Sequence, residues 1–158
     1  MKRNSMQNTF AVLAVTVLLS MVAKAESKAG DQCSLAKSAG KWAFSISGSI
    51  PAIGPVGAVG MFNQDASGNI TGSETRSLNG DIADETLTGT ATVNSDCSGM
   101  DSFQVFENGV LVRTSWLSVV YDDNGREARA VFTSIVLPDG TSLPSILTVE
   151  AQRLFTRD

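Results

Sequence analysis

The feature that most constrains this chain is its turn rhythm. After residue 40, apolar and polar residues alternate in short runs, and a turn dipeptide separates almost every run from the next. Ser67-Gly68, Asn79-Gly80, Asn108-Gly109, Asn124-Gly125 and Asp139-Gly140 all fall between runs. Asn-Gly and Asp-Gly accept positive φ at little cost, so they fit the tight turns that match strand twist. The pattern predicts an all-β, single-domain chain of about eight strands in an up-and-down antiparallel barrel. A two-sheet sandwich is the alternative. Hairpin-only connections favour a meander, and closing its first strand on its last removes two aggregation-prone edges.

The strands are expected at 42–49, 57–63, 70–78, 85–93, 102–106, 110–121, 126–137 and 145–155. The first places Trp42, Phe44 and Ile46 on one face. Between the first two strands, Ile50, Ile53, Val56 and Val59 lie among Pro51, Gly54 and Pro55. This reads as an unusually apolar loop: a lid over the barrel mouth, a partner contact, or a segment folded into the core. Strands six and seven carry apolar residues on both faces, which suggests a homo-oligomer. Trp116 and Tyr121 fall on opposite faces of strand six, so one of them is expected outside the barrel.

Residues 1–25 read as a secretory signal peptide. Lys2 and Arg3 precede an apolar stretch from Phe10 to Val22, and Ala23-Lys24-Ala25 supplies a small-x-small cleavage pattern. Residues 26–40 are then a lead-in and 41–158 the barrel domain, exported to a periplasmic or extracellular compartment. Of 12 basic residues, cleavage would remove Lys2, Arg3 and Lys24; all 16 acidic residues would stay, giving a net charge of −7. No basic cluster survives, so nucleic acid and membrane surfaces are not expected partners. Cys33 and Cys97, an even pair in an exported chain, suggest a disulfide; a reactive thiol or metal pair is the alternative. A bridge closing a loop of this length stabilises by ~4 kcal/mol on the chain-entropy model.

Gly40-Lys41-Trp42 opens the first strand and Arg153 lies in the last. This resembles the calycin pattern of lipocalin- and avidin-type barrels, in which a Gly-x-Trp starts the first strand and a late basic residue packs across the Trp. The resemblance implies that Trp42 and Arg153 plug one barrel end, with a guanidinium stacking on an indole face. Cys33-Ser34-Leu35, Gly68-Asn69-Ile70-Thr71-Gly72 and Leu154-Phe155-Thr156-Arg157 are similar to the avidin branch, as is a disulfide from the N-terminal segment to a mid-chain turn. The biotin residues do not carry over: Phe44 stands where that family has an Asn, and Glu74 where it has a Tyr. The segment from Leu87 to Gly99, with its Asp96-Cys97-Ser98-Gly99 turn, resembles a motif of uncharacterised exported bacterial proteins that brings no known activity.

There is no histidine, which removes Ser-His and Cys-His nucleophile activation and imidazole metal ligation. Neither cofactor nor metal is expected. Asp122-Asp123-Asn124-Gly125 offers closely spaced oxygens, yet it sits where a hairpin turn is required and lacks calcium-loop spacing. The remaining chemistry lies in strand charges. Glu74 and Arg76 share a face with Ile70 and Leu78. Arg129 shares one with Val131, Ile135 and Leu137, and Glu150 one with Ile146 and Leu154. Facing inward, these charges and Phe44 would bind a ligand; facing outward, they are surface charges or structural ion pairs. Trp42 and Phe44 read first as core. The leading expectation is a binding barrel for a small, partly apolar or amphipathic ligand. A cavity enzyme of isomerase or cyclase type predicts an inward carboxylate with a strongly shifted pKa. A structural or surface-association module predicts a filled barrel.

Overall fold

The computed structural model describes residues 33–122 and 125–154. A short helix, α1 (Leu35–Ser38), precedes eight strands: β1 (Gly40–Ile50), β2 (Gly54–Gln64), β3 (Asn69–Leu78), β4 (Asp81–Val93), β5 (Ser98–Glu107), β6 (Val110–Tyr121), β7 (Glu127–Val136) and β8 (Ile146–Arg153). They form one closed antiparallel barrel in chain order. β1 meets β8 from Trp42 opposite Arg153 to Ser49 opposite Ile146, so no sheet edge is left open. The expected signal peptide lies outside the described residues, as do Asp123, Asn124 and the chain end from Phe155.

Among the described residues, the turn dipeptides sit where the rhythm puts them. Asn79 (φ 51°) and Gly80 (φ 91°) both take the left-handed backbone that a two-residue hairpin needs, and Asn108-Gly109 repeats the pair. The expected apolar loop after the first strand is instead a continuous hairpin. β1 runs to Ile50 and β2 begins at Gly54, leaving only Pro51, Ala52 and Ile53 in the turn. Ile50 and Ala58 are buried, whereas Val59 is exposed on the outer face. The prolines do not break the ladder because Pro51 lies in the turn and Pro55 stands at the start of β2.

Two bulges set which side chains point inward. Val112 is an extra residue of β6 against β5, because Val105 faces Arg113 while Phe106 faces Leu111. Thr133 is an extra residue of β7 against β6, because Trp116 faces Ser134 while Leu117 faces Phe132. Each bulge interrupts strict alternation.

One barrel end is closed by α1. Ser34 caps the helix, the Trp42 Nε1–H donates to the Ser38 carbonyl at 2.9 Å, and Gln64 donates to Ser38 Oγ at 2.7 Å. The Cys33–Cys97 disulfide ties this end to the β4–β5 turn. The opposite end is ringed by the β1–β2, β3–β4 and β5–β6 hairpins and the β7–β8 connection.

Candidate functional site

The barrel is not filled. Its interior holds two hollows separated by a band of charge. The outer hollow, about 220 Å³, lies beneath the hairpin-ringed end and is walled by Ile50, Ile53, Val56, Leu78, Leu143 and Leu147. The inner hollow, about 60 Å³, lies toward α1 and is walled mainly by Trp42, Phe44, Phe62, Phe103, Tyr121 and Phe132. Glu74 and Arg113 border both.

The band is an ionic cluster of four inner side chains, with Asp81 (3.7 Å) and Glu107 (3.9 Å) reaching Arg76 Nη2 at its rim. β3 supplies Glu74 and Arg76, β4 supplies Glu85 directly opposite Glu74, and β6 supplies Arg113. Arg113 Nη2 lies 2.6 Å from Glu74 Oε1 and 2.7 Å from Glu85 Oε2, and its Nη1 donates to Glu85 Oε1 at 2.9 Å. Arg76 Nε donates to the same Glu85 oxygen at 2.8 Å. Burial drives Glu74 up to about 7, against the pull of Arg113. Burial pushes Glu85 the same way, but hydrogen bonds and charge from Arg113, with Arg76, outweigh it and hold Glu85 below its ordinary value. At neutral pH the band is therefore an ionised Glu85 gripped by two guanidinium groups, with Glu74 poised to give or take a proton. Glu74 Oε2 and Arg76 Nη1 are buried without a hydrogen-bond partner.

A third carboxylate stands apart. Asp101 of β5 faces the inner hollow, opposite Ala91 on β4 and Leu117 on β6. Its Oδ1 and the Ser115 Oγ of the same hollow are likewise buried without a partner. Burial alone raises Asp101 to about 7. Burial and the charge of Asp101 push the Tyr121 phenol upward, so it stays neutral.

Of the residues singled out in the sequence, the fold brings Glu74, Arg76 and Phe44 into the interior. Arg129 and Glu150 are corrected: they face each other across β7 and β8 on the outer surface. The β7 bulge explains Arg129. It separates Arg129 and Val131, which point out, from Ile135, which points in. Glu150 shares its outward face with Ile146, which is 70% exposed and was a misleading guide. Trp42 is fully buried beside α1, and Arg153 donates to the carbonyls of Lys37 (2.9 Å) and Ala39 (2.6 Å), fastening the chain's end to that helix. Tyr121 is the inward aromatic of β6; Trp116 is on the outer face. Sequence reasoning missed Glu85, Asp101 and Arg113. The signal was alternation: Glu85 is in phase with Leu87 and Ala91, Asp101 with Phe103 and Val105, and Arg113 with Leu117 and Val119. Among the described residues, no group of three or more carboxylate, thiol or imidazole side chains is placed to hold a metal ion.

No protein-family model and no curated protein matches the chain. Solved structures do. A redesigned β barrel, mFAP1, bound to DFHBI, superposes with a TM-score of 0.52 at 17% identity, covering 76% of this chain and 98% of that one. The S-type phycobiliprotein lyase CPES from Guillardia theta matches with a TM-score of 0.45 at 11% identity, over 78% and 92% of the two chains. Rv2717c from M. tuberculosis matches with a TM-score of 0.41 at 15% identity, over 77% and 95%. At these identities the likeness concerns fold alone: this chain is a closed, eight-stranded antiparallel β barrel.

Proposed function

We propose that this protein is an exported container for a small, partly apolar ligand, taken into the outer hollow with its polar head on the ionic band. The observation that carries this reading is the unpartnered pair of atoms at the hollow's floor. Glu74 Oε2 and Arg76 Nη1 are out of water and without a hydrogen bond in the protein, above which rise apolar walls. Burying such groups costs free energy that a bound head group with an oxygen acceptor would offset. The volume restricts the guest to a short chain or single ring. Export is supported by the N-terminal pattern and by the disulfide.

Methyl NMR of Ile and Leu residues, titrated with short-chain carboxylic acids and alcohols, tests the reading. The Ile50, Leu78 and Leu147 signals are expected to shift saturably, and Arg76→Ala to weaken acids more than alcohols. Unmoved methyl signals across the series would remove the container.

A second reading, acid–base catalysis, has one observation in its favour: Glu74 and Asp101 both border the interior with pKa values near 7. It requires that a carbonyl guest exchange its α-hydrogens with D2O faster than with Glu74→Gln. Equal rates would leave binding alone.

A further inference from the structure

The inner hollow has a chemistry of its own. Two buried oxygens face it without a partner, Asp101 Oδ1 and Ser115 Oγ, in residues that are 8% and 2% exposed. The Arg113 guanidinium directs its contacts to Glu74 and Glu85 rather than to Asp101. Across the two hollows the buried acids are Glu74, Glu85 and Asp101, against Arg76 and Arg113. The interior therefore has one acid more than it has bases. The hollow that Asp101 faces is walled largely by aromatic side chains, whose π-systems favour positive charge: Trp42, stacked on Phe62 at 6.1 Å and edge-on to Tyr121 at 6.2 Å, with Phe44, Phe103 and Phe132.

Charge, acceptors and aromatic walls all ask for the same guest. We propose that the inner hollow is a binding site for a small monocationic amine or ammonium, with Asp101 as its counter-charge and the aromatic side chains as its walls. A single water takes ~10–15 Å³ of such space, so about 60 Å³ admits roughly four to six non-hydrogen atoms. A hard metal ion is a poorer fit, since calcium takes about six to eight oxygen ligands and two unpartnered oxygens face this hollow.

The site carries a pH signature. The titratable and charged groups that border the hollow with Asp101 are Tyr121 and Arg113 from β6 and Glu74 from β3; β4 places Ala91 opposite it. Tyr121 stays neutral, so the protonation that a cation displaces is that of Asp101, with Glu74 as the other acid in the same range. A cation favours the carboxylate, so binding releases a proton below pH 7 and none well above it.

This inference rests on the container reading, but its test is separable. Calorimetric titration of the oxidised protein with tert-butylammonium and with its uncharged isostere tert-butanol, at pH 6 and pH 8.5, compares charge at constant shape. The amine is expected to bind at least tenfold tighter than the alcohol at pH 8.5, with proton release at pH 6. Asp101→Asn should abolish that preference and the share of proton release due to Asp101. Phe103→Leu, which keeps the carboxylate, should weaken the amine about fivefold, on the scale of one cation–π contact, and leave the alcohol unchanged. Equal binding of amine and alcohol, unaltered by Asp101→Asn, would overturn the amine site and leave the container standing. Failure of both to bind would remove the inner site, while the outer hollow's short-chain acids decide the container independently.

Discussion

At the scale of single residues, the interior acids are held in different ways, and the differences are measurable. Asp101 has no partner, so burial raises it from 3.8 to about 7. The folded state holds that proton more tightly than the unfolded chain does. Its contribution to stability is complete below about pH 4 and is lost as pH rises to about 7, a swing on the order of 4 kcal/mol. Asp101→Asn should therefore match the parent at pH 4 and exceed it at pH 8 in urea melts. A variant with the same offset at both pH values would contradict this. Glu74 titrates in the same window, which is why the comparison is between variants rather than along one curve. In the ionic band, Glu74→Gln preserves a neutral group able to donate to Glu85, and is expected to change stability at pH 6 by less than about 1 kcal/mol. Arg113→Ala leaves Glu85 and Glu74 facing each other with Arg76 alone to offset them, and should cost about 3–5 kcal/mol in the same melts. Comparable losses for the two variants would mean that Glu74 is ionised in the fold.

At the scale of elements, strand number and turn positions were legible, while facing was legible only where alternation held. Glu74 and Arg76 read correctly because β3 pairs without a bulge along its length. Arg129 did not, because Thr133 shifts the phase two turns of the zigzag later, and nothing in Val131-Phe132-Thr133 marks an extra residue. Asp101 was missed because β5 begins four residues earlier than the apolar alternation suggested, and Glu85 because it stood at the very start of its expected strand, where its phase with Leu87 and Ala91 was passed over. The hairpin from Ile50 to Gly54 was mistaken for a loop because its prolines and glycines are turn residues, yet here they tolerate strand geometry. Gly48 shows how tight that geometry is. Its φ is +142°, and a Cβ there would overlap the Ile146 carbonyl oxygen of β8. Gly48→Ala should strain the β1–β8 seam, which closes the barrel, and cost more than about 2 kcal/mol in a denaturant melt. An unchanged midpoint would mean that the seam shifts freely.

At the scale of the whole molecule, the barrel and the α1 end are two separable sources of order. Eight strands close on themselves; Cys33 stands outside them, and Cys97 joins them at one point, its carbonyl accepting from the Tyr121 N–H of β6 at 2.9 Å. The disulfide instead closes a chain separation of 64 residues and holds the α1 segment over the end where Trp42 is buried. On the chain-entropy model its loss costs ~4 kcal/mol. The loss should act in a particular place, because the groups nearest the bridge are those that seal the inner hollow: the Ser38 carbonyl on Trp42, Gln64 on Ser38 Oγ, and Leu35 against the core. Reduction, or Cys33→Ser with Cys97→Ser, should lower the denaturation midpoint. Below that midpoint it should also make Trp42 accessible to acrylamide, while the far-UV strand signal is kept. Trp116, half-buried on the outer face, supplies a constant background of quenching in both forms. If quenching rises only together with loss of the strand signal, the barrel and its closed end melt as one unit. The inner hollow is then sealed by the barrel itself rather than by the bridged helix.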